Sequence, residues 1–240
     1  MLAADRVIAV SERTKAIAQE FIDKGEPLGW FEALYRESAG DNEKIPWADL
    51  EPNRFLKEWA DARDLKGDGR KALVVGSGLG DDARFLYDRG FDVTAFDISP
   101  TAIEWARKLH SETAIRFLTA DLFDTPKEWY QAFEFVLEVY TIQPLPIEMR
   151  PQVIDAIANF VMFDGKLLVV TRGRENDEVP DELPWALSRD DLSRFEKNGL
   201  IQTDFQIMPG DEDPPIPRFV IEYKRPGPSQ GLPFARPTFP

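Results

Sequence analysis

The stretch Val74-Val75-Gly76-Ser77-Gly78-Leu79-Gly80-Asp81-Asp82 carries the densest chemical signal in the chain. Glycines at a strand-to-helix turn expose backbone amides and let a ligand approach the backbone closely. A dinucleotide fingerprint requires G-x-G-x-x-G. Here Gly76, Gly78 and Gly80 give G-x-G-x-G, and Asp81 occupies the third dinucleotide glycine position. Asp81 and Asp82 disfavour a pyrophosphate and suit a cofactor that lacks phosphate and carries positive charge. A tight turn with no ligand is the plainer reading. Three further acids recur at strand ends. Asp97 closes the next strand, where a carboxylate can accept both hydroxyls of a ribose. Asp121 follows the third strand and can accept an adenine amino group. Glu138 stands with Tyr140 toward the end of the fourth. Singly, each also reads as a helix-terminal charge, a loop acid or a packed strand end. Together they lie at the carboxyl ends of consecutive parallel strands, where open α/β sheets bind ligands.

The elements that must position them follow from the hydrophobic pattern. KALVVG is a short apolar run, as a strand buried on both faces should be. DDARFLYDRG is a helix closed by Gly90, FDVTAFD a second strand, and SPTAIEWARKLH a helix with Ser99 as N-cap and Pro100 at its first position. AIRFLTAD and EFVLEVYTI are strands, Met149 to Phe163 a helix, GKLLVVT a strand and SRDDLSRFEKNG a capped helix. TDFQIM and RFVIEYK form an antiparallel pair. Strands separated by helix-length connections imply parallel pairing. The expected fold class is α/β, a Rossmann-like, seven-stranded, mostly parallel sheet with helices on both faces and one antiparallel strand near the C-terminus.

Three regions are expected. Residues 1–65 form a helical cap and cofactor-covering segment, 66–224 the Rossmann-like domain and 225–240 a Pro- and Gly-rich tail. In the cap, Val7, Val10, Ile17 and Phe21 lie in one helical row. That row either packs on the domain or binds a partner. The tail is either a surface coil or a docking peptide with Phe234 and Phe239 as apolar handles.

Composition excludes several alternatives. The chain has 29 Lys and Arg against 43 Asp and Glu, a net charge of −14, no cysteine and one histidine, His110. Thiol nucleophiles, disulfides and cysteine-based metal sites are ruled out, and no metal site is expected. So negative a chain disfavours nucleic acid as partner, because phosphate binding rests on Lys and Arg. Charges interrupt every apolar stretch, so neither a signal peptide nor a membrane span is expected. The missing cysteine fits a cytoplasmic protein. His110, at the end of the second helix of the alternating part, reads as a surface residue away from the strand ends.

From Gly29 to Tyr223 the sequence resembles the class I S-adenosylmethionine-dependent methyltransferases, and within them the thiopurine S-methyltransferase and halide/thiol methyltransferase family. Phe85 to Ser99 looks like that family's stretch between glycine loop and acidic residue, as does Phe133 to Ile142 followed by Glu148-Met149-Arg150-Pro151. Trp30 and Trp47 match tryptophans that precede the glycine loop and cover the cofactor, with Leu34 where another tryptophan is usual. Ordinary packing is the alternative for both. The resemblance implies S-adenosylmethionine as cofactor, contacted by Trp30, Trp47, Val75, Gly76, Ser77, Gly78, Asp97, Ile98, Asp121, Leu122 and Glu138. The loop from Ser38 to Ile45 is longer than usual, and Val139 replaces an Arg or Tyr found in parts of the family. No Asn/Asp-Pro-Pro-Tyr motif follows the fourth strand, so nucleobase amino methylation is not supported.

Position after the fourth and fifth strands makes Tyr140, Thr141, Arg172 and Trp185 the substrate-pocket candidates. Arg172 either pairs with an anionic substrate or is solvated. Methyl transfer rests on holding nucleophile and methyl group in near-attack geometry. A thiolate needs little base catalysis, which points to a small thiol or other soft acceptor. The alternatives are a non-catalytic S-adenosyl-binding protein and a nicotinamide-dependent oxidoreductase, which Asp81 disfavours. Oligomeric state is left open.

Overall fold

Apolar runs that must leave water on both faces build the centre of the molecule. The computed structural model describes residues 3–180 and 182–228, with side chains from residue 12 onward. The strands are β1 (Lys71–Val75), β2 (Asp92–Asp97), β3 (Arg116–Thr119), β4 (Phe133–Val139), β5 (Val161–Arg172), β6 (Ile201–Pro209) and β7 (Pro217–Lys224). They form one seven-stranded sheet in the order β3-β2-β1-β4-β5-β7-β6. β1 to β5 pair in parallel, and β7 runs antiparallel to both β5 and β6. This is the Rossmann-like arrangement expected. The strand order reverses between β1 and β4, which opens a crevice at their carboxyl ends.

Alternation along β1 sends its side chains into two cores. Leu73 and Val75 pack with Val136 and with Val153, Ile154 and Ile157 of α6 (Arg150–Ala158). Ala72 and Val74 face the other way. They meet Phe55 and Trp59 of α3 (Arg54–Asp61), Leu86 of α4 (Asp81–Asp88) and Ile103 of α5 (Pro100–Leu109). A third core ties the N-terminal segment to the site. Trp30, Leu34 and Tyr35 of α2 (Gly29–Ser38) pack with Leu79 and Ala102, and Ile17 and Phe21 of α1 (Ala3–Asp23) lie against them. The apolar row of the first helix is therefore used for packing as far as the described side chains reach. Val7, Val10, Phe234 and Phe239 lie outside them.

Three elements differ from expectation. The helix predicted to reach Phe163 stops at Ala158, because Val161 already pairs with Phe133 and opens β5. The helix predicted over 188–199 is two single turns, α7 (Arg189–Leu192) and α8 (Arg194–Lys197), broken at Ser193. The folded part also runs past Lys224. Arg225 is buried and donates to the carbonyls of Val161 and Ala158, each at 2.7 Å, and of Asn198 at 3.1 Å. No described helix is long and apolar enough to cross a membrane.

Candidate active site

A cavity of about 720 Å³ opens at the carboxyl ends of β1, β2, β4 and β5. Its floor is the glycine loop. Gly76, Gly78 and Gly80 take φ of +60°, +52° and +90°. Glycine adopts that left-handed region without steric cost. A Cβ on Gly76 would stand 2.6 Å from Thr141 Oγ1, and one on Gly78 3.0 Å from the Tyr35 hydroxyl. Thr141 closes on the loop by donating to the carbonyl of Val75 at 3.0 Å.

Asp97 lies at the end of β2 and lines the cavity while almost fully buried. Its two oxygens accept the amides of Gly78 and Ser99, both at 2.9 Å. Burial pushes its pKa up, the two amides oppose that shift, and the charge of Glu32 adds to it. The carboxylate is thus locked in orientation against the glycine loop. Asp121 lines the cavity beyond β3, and one of its oxygens accepts the Phe123 amide at 2.8 Å. Val75, Ser77, Ile98 and Leu122 complete this side.

The N-terminal segment forms the roof. Trp30 and Trp47 meet edge to face with ring centroids 5.8 Å apart, and Trp47 Nε1 donates to the Tyr35 hydroxyl at 2.7 Å. Burial pushes the Tyr35 phenol well above its ordinary pKa. Glu32 ties this roof to the sheet. It accepts from the Ser99 hydroxyl at 2.6 Å, from the Thr101 hydroxyl at 2.8 Å and from the Thr101 amide at 3.1 Å. Burial acts to raise the Glu32 pKa, but these bonds outweigh it and leave the group below the ordinary carboxylate range. At the opposite wall Asp82 accepts the Asn53 amide at 2.7 Å, and burial pushes its pKa up to about 6.

Glu138 is not among the residues that line the cavity, although the sequence places it with the cofactor contacts. It pairs in register with Val75 and Val169 and is fully buried. Its Oε1 accepts the amides of Thr141 and Ile142 at 2.7 and 3.0 Å, whereas Oε2 has no partner among the described residues. Burial pushes its pKa up to about 7 against those two bonds. The turn it holds contains Tyr140, whose φ is +58°. Glu138 therefore positions Tyr140 and Thr141, which do line the cavity.

Tyr140, Thr141 and Arg172 line the cavity at the ends of β4 and β5, across β1 and β2 from Asp121. Trp185 is outside the wall. Its amide donates to Gln143 at 2.9 Å and its carbonyl accepts from Arg150 at 2.6 Å, while Leu183 and Pro184 line the cavity in its place. His110 also departs from expectation. It is half-buried, lies 3.0 Å from the Leu79 carbonyl and stacks on Phe117, so it braces the glycine loop from behind. Sequence reasoning missed Glu32, Tyr35 and Arg218. Arg218 lines the cavity because β7 returns antiparallel and sets it opposite Arg172.

Residues 72–165 match the family model described as a methyltransferase domain. This segment is a methyltransferase domain. It holds β1 through the start of β5, and with them the glycine loop, Asp97 and Asp121. S-adenosylmethionine is the cofactor expected of such a domain. No curated protein matches the chain.

Solved structures of low identity share the fold. One, described as converting a disulfide bond into a thioacetal group during echinomycin biosynthesis, is 20% identical with a TM-score of 0.66, covering 85% of this chain and 93% of that one. The 1,6-didemethyltoxoflavin-N1-methyltransferase of Burkholderia thailandensis, solved with its substrate and S-adenosylhomocysteine, is 16% identical with a TM-score of 0.64, covering 83% and 90%. The [4+2]-cyclase SpnF is 16% identical with a TM-score of 0.61, covering 72% and 80%. A cyclase among them illustrates that fold alone does not fix the reaction.

Unsatisfied polar atoms in the wall fit the cofactor. Trp30 and Ser77 both line the cavity, and Trp30 Nε1 and Ser77 Oγ are buried with no partner among the described residues. Buried polar groups are normally paired. The carboxylate and amino group of an amino acid moiety are suitable partners, and the acids Asp81, Asp82 and Asp97 suit a ligand bearing positive charge.

Proposed function

We propose that this domain methylates a small-molecule acceptor that enters beside Tyr140, Thr141 and Arg172. The observation that carries the reading is one cavity, centred on the segment that matches a methyltransferase domain, running from Asp121 and Asp97 over the glycine loop to Tyr140 and Arg172. Bound S-adenosylmethionine supplies a methyl group on a sulfonium, open to in-line displacement by a nucleophile.

The residues would act by holding and excluding. Asp97 takes the ribose hydroxyls, since each of its oxygens keeps a lone pair beyond its single amide bond. Asp121 accepts from the adenine amino group, with Ile98 and Leu122 packing the ring. Ser77 and Trp30 receive the amino acid end, and the indoles of Trp30 and Trp47 exclude water above it. Tyr140, fixed by Glu138 through its turn, sets the height at which an acceptor rests.

The acceptor atom is a thiol or other soft nucleophile. A hard nucleophile needs a base near the reacting atom. His110 is behind the loop, and Lys15, the lysine in the described wall, is held by Glu182 at 2.7 Å. The test is turnover of thiols, halides, phenols and amines with S-adenosylmethionine. Thiol or halide methylation above the other classes supports the reading, and preferential amine or phenol methylation refutes the soft acceptor. Cofactor binding with no turnover of any class favours the non-catalytic alternative. A cytoplasmic setting belongs to the same proposal and rests on the absence of cysteine.

A further inference from the structure

The acceptor end of the cavity is built for negative charge, in a chain that is otherwise acidic. Arg172 ends β5, Arg218 is the second residue of β7, and the two stand directly opposite across the antiparallel pair. Like charges opposed in this way are destabilising. Both guanidiniums line the cavity and both are at least half-buried. One carboxylate serves the two. Glu212 Oε1 accepts from Arg172 Nη2 at 3.0 Å and from Arg218 Nη2 at 2.5 Å. The neighbouring acids are committed elsewhere, Asp211 to Arg54 at 2.8 Å and Glu182 to Lys15 at 2.7 Å.

The two arginines differ in what they have left to give. Arg218 spends Nε on the Tyr140 hydroxyl at 3.0 Å and Nη1 on the Ile216 carbonyl at 2.8 Å, besides its bond to Glu212. Arg172 spends only Nη2, and its Nε and Nη1 have no partner among the described residues. Its backbone is not free to turn away, because Gln143 Oε1 accepts the Arg172 amide at 2.8 Å. An unspent guanidinium edge, held in place inside a cavity and in net positive surroundings, matches a carboxylate in shape and charge.

We infer that the acceptor is a small organic acid, and that Arg172, backed by Arg218, binds its carboxylate while its nucleophile points toward the glycine loop. Glu212 shows that a carboxylate fits across this pair. The inference rests on the reading of the cavity as a joint cofactor and acceptor site, and it adds the chemical class of the acceptor.

The test is calorimetry on the full chain saturated with S-adenosylhomocysteine, titrated with 3-mercaptopropionate and with its methyl ester. The two probes share a thiol and differ in the carboxylate. The acid is expected to bind about tenfold more tightly or better, the scale of a charge-assisted hydrogen bond pair. Arg172→Gln should bring the two affinities together, and Arg172→Lys, which keeps the charge but loses the fork, should retain part of the difference. The affinity for S-adenosylhomocysteine, read in the same experiment, should stay unchanged in both variants. Equal binding of acid and ester by the wild type, or failure of both to bind the loaded protein, overturns the inference. So does an undiminished preference in folded Arg172→Gln. Failure of S-adenosylhomocysteine itself to bind refutes the cofactor reading instead, and the two failures are separate isotherms.

Discussion

Glu138→Gln separates a buried positioning acid from a cofactor ligand. Glutamine keeps the shape and an oxygen for the amides of Thr141 and Ile142, and it cannot ionise. In the folded protein burial raises the Glu138 pKa from an ordinary 4.5 to about 7. Below about pH 4.5 the group is neutral in folded and unfolded chains, so it makes no difference to stability. As pH rises toward 7 the unfolded chain releases its proton first, and the folded state loses relative stability. Above about pH 7 the loss is complete and amounts to about 3 kcal/mol. Glutamine removes this dependence. Urea unfolding of both proteins at pH 5 and pH 8 isolates it, because other groups cancel in the difference. The variant should gain about 2–3 kcal/mol on the wild type between the two pH values. An equal difference at both would refute the account of Glu138 as a buried ionisable group. The same variant should bind S-adenosylhomocysteine within a few-fold of wild type, and a loss of a hundredfold would return Glu138 to the cofactor site.

Other substitutions probe the frame around the cavity. Gly76→Ala should cost about 1–3 kcal/mol in urea unfolding, from a Cβ 2.6 Å from Thr141 Oγ1 and a left-handed φ. Full tolerance would mean that the Thr141 contact is not held in solution. Glu32→Ala removes three hydrogen bonds between α2 and the start of α5. It should speed amide exchange across residues 29–38 and weaken S-adenosylhomocysteine binding about tenfold. Unchanged exchange would show that the third core alone holds the roof.

Much of the site was legible because parallel strands hidden on both faces read as unbroken apolar runs. Lys71–Val75 and its glycines place the loop, and Ser99-Pro100 marks where β2 hands over to α5. What stayed hidden depends on register or on returning chain. Glu138 closes the strand after which Tyr140 and Thr141 line the cavity, and the motif locates that strand end without reporting that the carboxylate turns to hold the amides of Thr141 and Ile142. Arg218 follows Arg172 by a long excursion through α7, α8 and β6, and only the antiparallel return of β7 brings them together. The apolar run from Phe160 to Phe163 fits a helix or a strand equally. Pairing with β4 decided it, which periodicity does not report. No motif marks Glu32 in the sequence, because its three donors come from Ser99 and Thr101, far along the chain.

In the proposed function, Asp97 and the glycine loop hold an S-adenosyl cofactor. Calorimetric titration of S-adenosylhomocysteine into wild type and Asp97→Asn tests it most directly, with NAD as control. Wild type should bind S-adenosylhomocysteine and not NAD. The variant keeps the volume but presents an amide where two backbone N–H groups and the ribose hydroxyls require acceptors, so affinity should fall about tenfold to a hundredfold. No binding by wild type, or equal binding by Asp97→Asn, would contradict the account.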